Sequence, residues 1–240
     1  MSKVAFGSNN IVPLPFSFNT IKDFDNHICQ SIPSYEAIIA HIKNISTYFA
    51  VKDTCIYDLG CSTGKLLTEL SVLHGHKNIQ FIGYDTSTNL IPKSNKNVTF
   101  ELQDITDENC LLENAYLVLS VFTLQFLPIE KRQLVISKVF DSLQVGGAFI
   151  WCEKTLCQSG LMQDVFAFSH YDYKSQFFTP KEILKKQLDL RNIMKPLGVA
   201  ENEQLLRVAG FKTFDIFFQS LNFRCWLCIK DYGIRRRNTT

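Results

Sequence analysis

Asp58, Gly60, Gly64 and Asp85 are the residues whose types and spacing point most directly to chemistry. The run Ile56-Tyr57-Asp58-Leu59-Gly60-Cys61-Ser62-Thr63-Gly64 carries an apolar strand into an acid and then into a turn with two glycines. A helical pattern follows from Lys65 to Leu73. Strand, glycine-rich turn and helix form the opening unit of a nucleotide-binding α/β sheet. Glycine suits such a turn because the backbone must pass close to a ligand where a Cβ would collide. About one βαβ unit downstream, Phe81-Ile82-Gly83-Tyr84-Asp85 is a second apolar strand ending in an acid. A carboxylate there accepts both hydroxyls of a ribose. The two segments together imply a bound adenosine cofactor.

What the turn lacks narrows the cofactor. A phosphate-binding loop carries Gly-Lys-Ser/Thr at the helix start, whereas Gly64-Lys65 is followed by Leu66. The dinucleotide fingerprint needs three glycines to admit a pyrophosphate, and Asp58 would repel a diphosphate. An aminoacyl sulfonium has no phosphate and carries an ammonium group. The pattern Asp58-x-Gly60-x-x-x-Gly64 accordingly resembles the S-adenosyl-L-methionine motif of class I methyltransferases.

The elements that must position these residues alternate along the chain. A helical pattern covers Tyr35 to Phe49, and strands are expected at 54–59, 79–84, 98–103, 115–121 and 147–152. Helices are expected at 64–73, near 88–93 and at 129–143, with Gly146-Gly147 as a tight turn before the fifth strand. Such alternation implies a parallel α/β sheet with right-handed crossovers. Residues 158–209 read as helical, broken at Thr179-Pro180 and Pro196-Leu197-Gly198. Lys212–Gln219 and Phe223–Ile229 then read as a closing antiparallel hairpin. A single domain over 1–240 is expected. It comprises a helical cover (1–50, with Phe16, Phe18, Ile21, Phe24 and Ile28), a cofactor-binding core (51–154), a helical insertion (155–209), final strands (210–230) and a tail (231–240).

Composition excludes several classes. Net charge is +2, and the basic cluster Arg235-Arg236-Arg237 reads as a solvated tail, so nucleic acid is not indicated. No apolar run reaches the length of a membrane span, and no signal peptide is expected after Lys3. Cys225-x-x-Cys228 sits in a strand-like run, where thiols three apart face opposite sides, and no second pair has zinc spacing, so no metal is expected. Eight cysteines, several inside apolar strands, suit a reduced cytoplasmic protein.

Several other segments carry a wider resemblance. They are Ser31-Ile32-Pro33-x-Tyr35, Tyr57-Asp58-Leu59-Gly60-Cys61-Ser62, Phe122-Thr123-Leu124-Gln125-Phe126-Leu127, Gly146-Gly147 with Glu153-Lys154, and Phe218-Gln219-x-x-Asn222-Phe223. Over roughly residues 16–230 the chain resembles the bacterial carboxy-S-adenosylmethionine synthase family. These enzymes have a class I methyltransferase fold and use prephenate to carboxylate S-adenosylmethionine, for tRNA wobble-uridine modification. The resemblance implies that Tyr35 closes on the cofactor and that Gly60, Cys61 and Ser62 lie under its amino acid part. It also implies that Asp85 and Thr86 bind ribose and that Asp104 and Ile105 flank adenine. It further implies a homodimer. From the residues alone, Asp104 also reads as a helix N-cap.

Two positions depart from the family. Val121 stands where the family has asparagine, and Gln187 stands where an arginine reaches from the partner subunit to the extra carboxylate. Lys186 and Arg191 are the nearby candidate replacements. Three readings follow. The first is an S-adenosyl-L-methionine-dependent methyltransferase of unknown acceptor, with no catalytic residue named by the sequence. The second is a carboxy-S-adenosyl-L-methionine synthase with a substituted carboxylate clamp. The third is a non-catalytic cofactor-binding homologue. The synthase reading needs cations for its anionic donor, for which Lys154, His170, Lys174 and Lys186 are candidates. A small-molecule substrate is expected rather than a macromolecule. Phe166, Phe168, Tyr171, Tyr173, Phe177 and Phe178 are candidates for an acceptor pocket, or for helix packing or a dimer seam.

Overall fold

Apolar runs that are buried on both faces belong in the middle of a parallel sheet, and β1 (Cys55–Leu59) is such a run, with every residue buried. The computed structural model describes residues 23–191 and 193–231. It places β1 between β2 (Gln80–Asp85) and β4 (Ala115–Val121), parallel to both. Outside these lie β3 (Val98–Leu102) and β5 (Leu143–Lys154), also parallel. β7 (Phe223–Ile229) runs antiparallel between β5 and β6 (Thr213–Ser220), giving the order β3-β2-β1-β4-β5-β7-β6. Chain order reverses between β1 and β4, so a crevice opens at the C-terminal ends of these strands.

The period-2 alternation of strands divides the core into two layers. On one face, Tyr57, Leu59, Phe149, Trp151 and Trp226 pack with Val135, Ile136 and Val139 of α4 (Ile129–Ser142) and Leu206 of α7 (Val199–Ala209). On the other, Ile56, Phe81, Leu119 and Ile150 pack with Ile38 and Ile42 of α2 (Tyr35–Phe49) and Leu67 and Leu70 of α3 (Lys65–His74). Cys225 and Cys228 fall into opposite layers, as their spacing predicts. α1 (Phe24–Ser31), α5 (Gly160–Ser175) and α6 (Pro180–Arg191) lie over the crevice side. Of the apolar residues expected in the N-terminal cover, Phe16, Phe18 and Ile21 lie outside the described residues, as does the Arg235–Arg237 tail.

Two local expectations are corrected. No helix forms near 88–93. Leu90 and Ile91 each donate to the Ser87 carbonyl in a turn, and Pro92 then disfavours the helical conformation at Ile91 and supplies no N–H. Gly146-Gly147 lies inside β5 rather than before it. The pairing of β4 with β5 shifts register there, Gly146 has φ +85°, and a Cβ on Gly147 would sit 2.7 Å from the Tyr116 carbonyl oxygen. The glycines therefore form an irregularity within a longer strand.

The end of β4 is fixed by buried polar groups. Phe122 takes φ +59° and a 3-10 turn follows at Leu124–Phe126. Arg132 of α4, 2% exposed, donates to the carbonyls of Gln125 (3.0 Å) and Leu127 (3.1 and 3.2 Å). Glu153 accepts from Trp151 Nε1 at 2.8 Å. Burial lifts Glu153 to about 8, against that hydrogen bond and the charge of Arg132. Arg132→Met keeps the volume and removes every donor, so it should cost about 3 kcal/mol of stability. Urea unfolding at constant slope measures this, and an unmoved midpoint would show that the guanidinium contributes nothing net.

Candidate active site

The crevice holds a cavity of about 780 Å³, within the size range that encloses small organic ligands. Its first half is built by the glycine-rich turn. Gly60 and Cys61 N–H groups both donate to the Tyr84 carbonyl (2.8 and 3.0 Å), so the turn is pinned to β2. Asp85, at the end of β2, accepts from Ser62 N through Oδ2 and from Ser87 N through Oδ1, each at 2.8 Å. The carboxylate thus shapes both walls while keeping lone pairs for a ligand. Ser62 lines the cavity in a left-handed conformation, and its buried Oγ has no partner. A bound polar ligand would satisfy that hydroxyl.

Asp58 lies wholly beneath the turn. Burial, and then the charge of Asp85, push it up to about 7. A ligand ammonium would favour its ionised form. Tyr35 stands nearby at the start of α2, its ring centroid 6.5 Å from that of Phe122, and burial followed by the Asp58 charge raises its phenol. Thr86 is exposed at the rim, and Val121 is half-buried at the end of β4. Ile105 is buried beside Asp104, one of whose oxygens accepts from Thr106 N at 2.8 Å. Asp104 therefore closes a local turn and also borders the cavity.

All the expected cofactor residues except Gly64 line this one cavity. Gly64 begins α3 with φ +67°, and a Cβ there would lie 2.4 Å from the Phe100 ring. Its requirement is packing under the turn. Gly60 also differs from expectation. Its φ is +83°, and a Cβ would strike the Thr123 side chain at 2.3 Å rather than enter ligand space first.

The second half is cationic. Lys154 at the end of β5, Lys174 on α5 and Lys186 on α6 line the same cavity, with His27 of α1 and His170 of α5. Lys174 is 7% exposed, and burial lowers it. Lys154 and Lys186 are each held at about 8 by burial and then by the Lys174 charge, with Asp189 partly offsetting the effect at Lys186. The ammonium of Lys154 lies 5.5 Å from the Phe223 ring centre, and that of Lys174 lies 5.7 Å from that of Phe178. Both histidines are pushed down to about 4. For His27 the causes are burial, Lys186 and Lys174. For His170 burial leads, followed by Lys154. As a neutral ring, His170 donates from Nε2 to the Ser31 carbonyl at 2.8 Å.

Gln187 lines the cavity beside Lys186, whereas Arg191 does not. The aromatic residues of the insertion do not line it either. Tyr173 donates to the Cys29 carbonyl (2.6 Å) and Phe178 meets the His27 ring edge-on, so both anchor α1, while Phe168 and Phe177 face solvent. Sequence reading passed over His27, an isolated histidine on a short helix. Its role is visible only because α1 folds onto the lysines. Among the described residues no group of three His, Cys, Asp or Glu side chains is placed to hold a metal ion.

A family model described as a methyltransferase domain matches residues 56–147. The carboxy-S-adenosyl-L-methionine synthase of Staphylococcus epidermidis is 31% identical over 230 residues, covering 92% of this chain and 100% of that protein. The enzyme of the same name from Shewanella halifaxensis is 32% identical over 215 residues, covering 86% of this chain and 88% of the relative. Human N-acetylserotonin methyltransferase, solved in complex with S-adenosylmethionine, matches with a TM-score of 0.52 at 14% identity. That match covers 84% of this chain and 61% of the human one, and it is a likeness of fold. The sheet is the class I Rossmann-like α/β arrangement expected from the sequence.

Gly60→Ala should destabilise the protein by about 1–3 kcal/mol, through the strained backbone and the collision with Thr123. Thr123→Ala should restore part of that loss in the double variant. A double-mutant cycle by urea unfolding measures the coupling, and strict additivity would show that the two side chains do not meet.

Proposed function

Because the chain belongs to the carboxy-S-adenosyl-L-methionine synthase family, we propose that it transfers a carboxyl group from a small anionic hydroxy-acid donor to S-adenosyl-L-methionine, the donor's hydroxyl leaving with the proton displaced from the acceptor carbon as water. The observation that carries this reading is one cavity with an acidic half and a lysine half. The acidic half fits the cofactor: Asp85 suits a ribose, Asp58 an ammonium, Ile105 an adenine ring and the orphaned Ser62 hydroxyl a polar group. When bound, the cofactor supplies a sulfonium-activated methyl group. Asp58 and Asp85 hold its polar ends, the pinned turn from Gly60 to Ser62 orients it, and Tyr35 and α1 limit access of water.

The lysine half supports an anionic second ligand. Burying the Lys174 ammonium with no salt-bridge partner among the described residues costs several kcal/mol, and simple methyl transfer to a neutral acceptor would gain nothing from it. Prephenate, the donor implied by the family resemblance, is an anion that such a chamber would attract. Methyl transfer, the first reading of the sequence, stays as the second reading because Val121 and Gln187 replace the family's polar and cationic residues at the cavity.

The wider organisation belongs to the same proposal. The chain forms a single domain and acts in the cytoplasm, which suits eight cysteines that are all unpaired. Among the described residues no helix is long and apolar enough to cross a membrane. Leu161, Val165 and Phe168 along α5, with Leu184 and Leu188 along α6, form an exposed apolar face suited to a homodimer. Light scattering should give about twice the 27.5 kDa chain mass, and Val165→Asp with Leu188→Asp should reduce it to the chain mass.

Incubation with S-adenosyl-L-methionine and prephenate should give a cofactor heavier by one carboxyl group, detected by mass spectrometry. If the demethylated cofactor and a methylated acceptor form instead, with no carboxylated product, the second reading replaces the first.

A further inference from the structure

Three lysines from three separate elements converge on the non-cofactor half of the cavity: Lys154 ends β5, Lys174 lies on α5 and Lys186 on α6. Among the described residues no carboxylate forms a salt bridge with Lys154 or Lys174, whose ammonium groups lie over the rings of Phe223 and Phe178. Asp189 pairs with Lys185 at 3.2 Å and only tempers Lys186. Lys174 is the most buried of the three, 7% exposed, and its charge acts on Lys154, Lys186, His27 and His170.

We propose that Lys154, Lys174 and Lys186 of one chain form a clamp for a ligand bearing two negative groups, with Lys174 between the other two. The proposal rests on the transferase reading and adds the residues that select its second ligand. A single negative group could offset the Lys174 charge only in part, and would leave its repulsion with Lys154 and Lys186 largely in place. Two negative groups on a short spacer can each bridge Lys174 and one flanking lysine through charge-assisted hydrogen bonds. The histidines do not compete, since burial first, and then the neighbouring lysine charges, keep both neutral at ordinary pH. Their uncharged edges leave the net charge to the lysines. The clamp supplies from within the chain a positive site beside Gln187, where the side chain is a neutral amide.

The groups facing the clamp are His27 on α1, His170 on α5, and Lys185 and Asp189 on α6, while Asp25, Tyr35, Glu36, Lys43, Asp58, Lys65, Glu69, Asp85 and Asp104 line the rest of the cavity. Lys154 and Lys186 sit at about 8 in the ligand-free protein. An anion favours the ammonium form, so binding above pH 8 must draw protons onto these lysines, and affinity must fall as pH rises through that range.

The test is calorimetric titration of the full chain with malonate, acetate and malonamide, alongside S-adenosyl-L-methionine. Malonate should bind at least tenfold more tightly than acetate, and malonamide should not bind. Lys174→Gln should weaken malonate at least tenfold while S-adenosyl-L-methionine still binds, which also certifies the fold. Lys181→Gln, on the exposed surface of α6, should leave malonate affinity unchanged. At pH 8.5, heats in two buffers of different ionisation enthalpy should reveal proton uptake on malonate binding, which should be lost in Lys174→Gln. Equal affinity for malonate and malonamide, or an unaffected Lys174→Gln, would overturn the clamp alone. Failure of the parent protein to bind S-adenosyl-L-methionine would instead overturn the transferase reading.

Discussion

The amide group of Gln125 joins the strand ends on which the cavity depends. Its Nε2 donates to the Phe122 carbonyl just past β4 (3.2 Å), and its Oε1 accepts from the Lys154 N–H in β5 (2.9 Å). Its backbone carbonyl accepts from the Arg132 guanidinium (3.0 Å) and from Lys195 N (2.9 Å) in the connection between α6 and α7. One buried residue therefore fixes where β4 stops, where Lys154 departs from the sheet and how the insertion returns to the core. An unmade bond in this network would leave buried polar groups unsatisfied, at about 1–3 kcal/mol each. That cost gives the rim of the cavity one defined geometry.

The cavity draws Asp58 and Asp85 from one side of the sheet and Lys154, Lys174 and Lys186 from the other, while Asp25, Glu36, Lys43, Lys65 and Glu69 also line it. Asp58 and Asp85 come from the ends of β1 and β2, on the early side of the sheet's order reversal. The lysines come from β5 and the insertion, on the other side. The two sets do not neutralise one another: Asp58 is raised by burial and by Asp85, and Lys154 and Lys186 are lowered by burial and by Lys174. Each half is thus electrostatically incomplete, and each would gain from a ligand of opposite charge.

α1 spans the two halves without a buried residue of its own. Thr63 of the glycine-rich turn donates to Asp25 at 2.7 Å, while Tyr173 and His170 of α5 donate to the carbonyls of Cys29 and Ser31. The helix is held by polar contacts to both walls and by the partial packing of Ile28 on the core, with no residue of its own fully buried. Elements with few buried apolar contacts open at low free-energy cost, which suits a cover over a ligand site.

The sequence by itself determined the parts governed by local rules. The apolar run ending in Asp58, the Gly60–Gly64 turn and the strand ending in Asp85 signalled a parallel sheet and an adenosine cofactor. Strand periodicity sent Cys225 and Cys228 to opposite layers. Only the tertiary structure decided what depends on approach between distant segments. It set Gly60 against Thr123 and Gly64 against Phe100, both far away in the chain. It placed Gly146-Gly147 inside β5, because strand register depends on the neighbouring β4. Above all, it gathered Lys154, Lys174 and Lys186. The family resemblance made each a candidate cation, but burial and the charge of a neighbour belong to the fold and leave no local pattern by which sequence could group them.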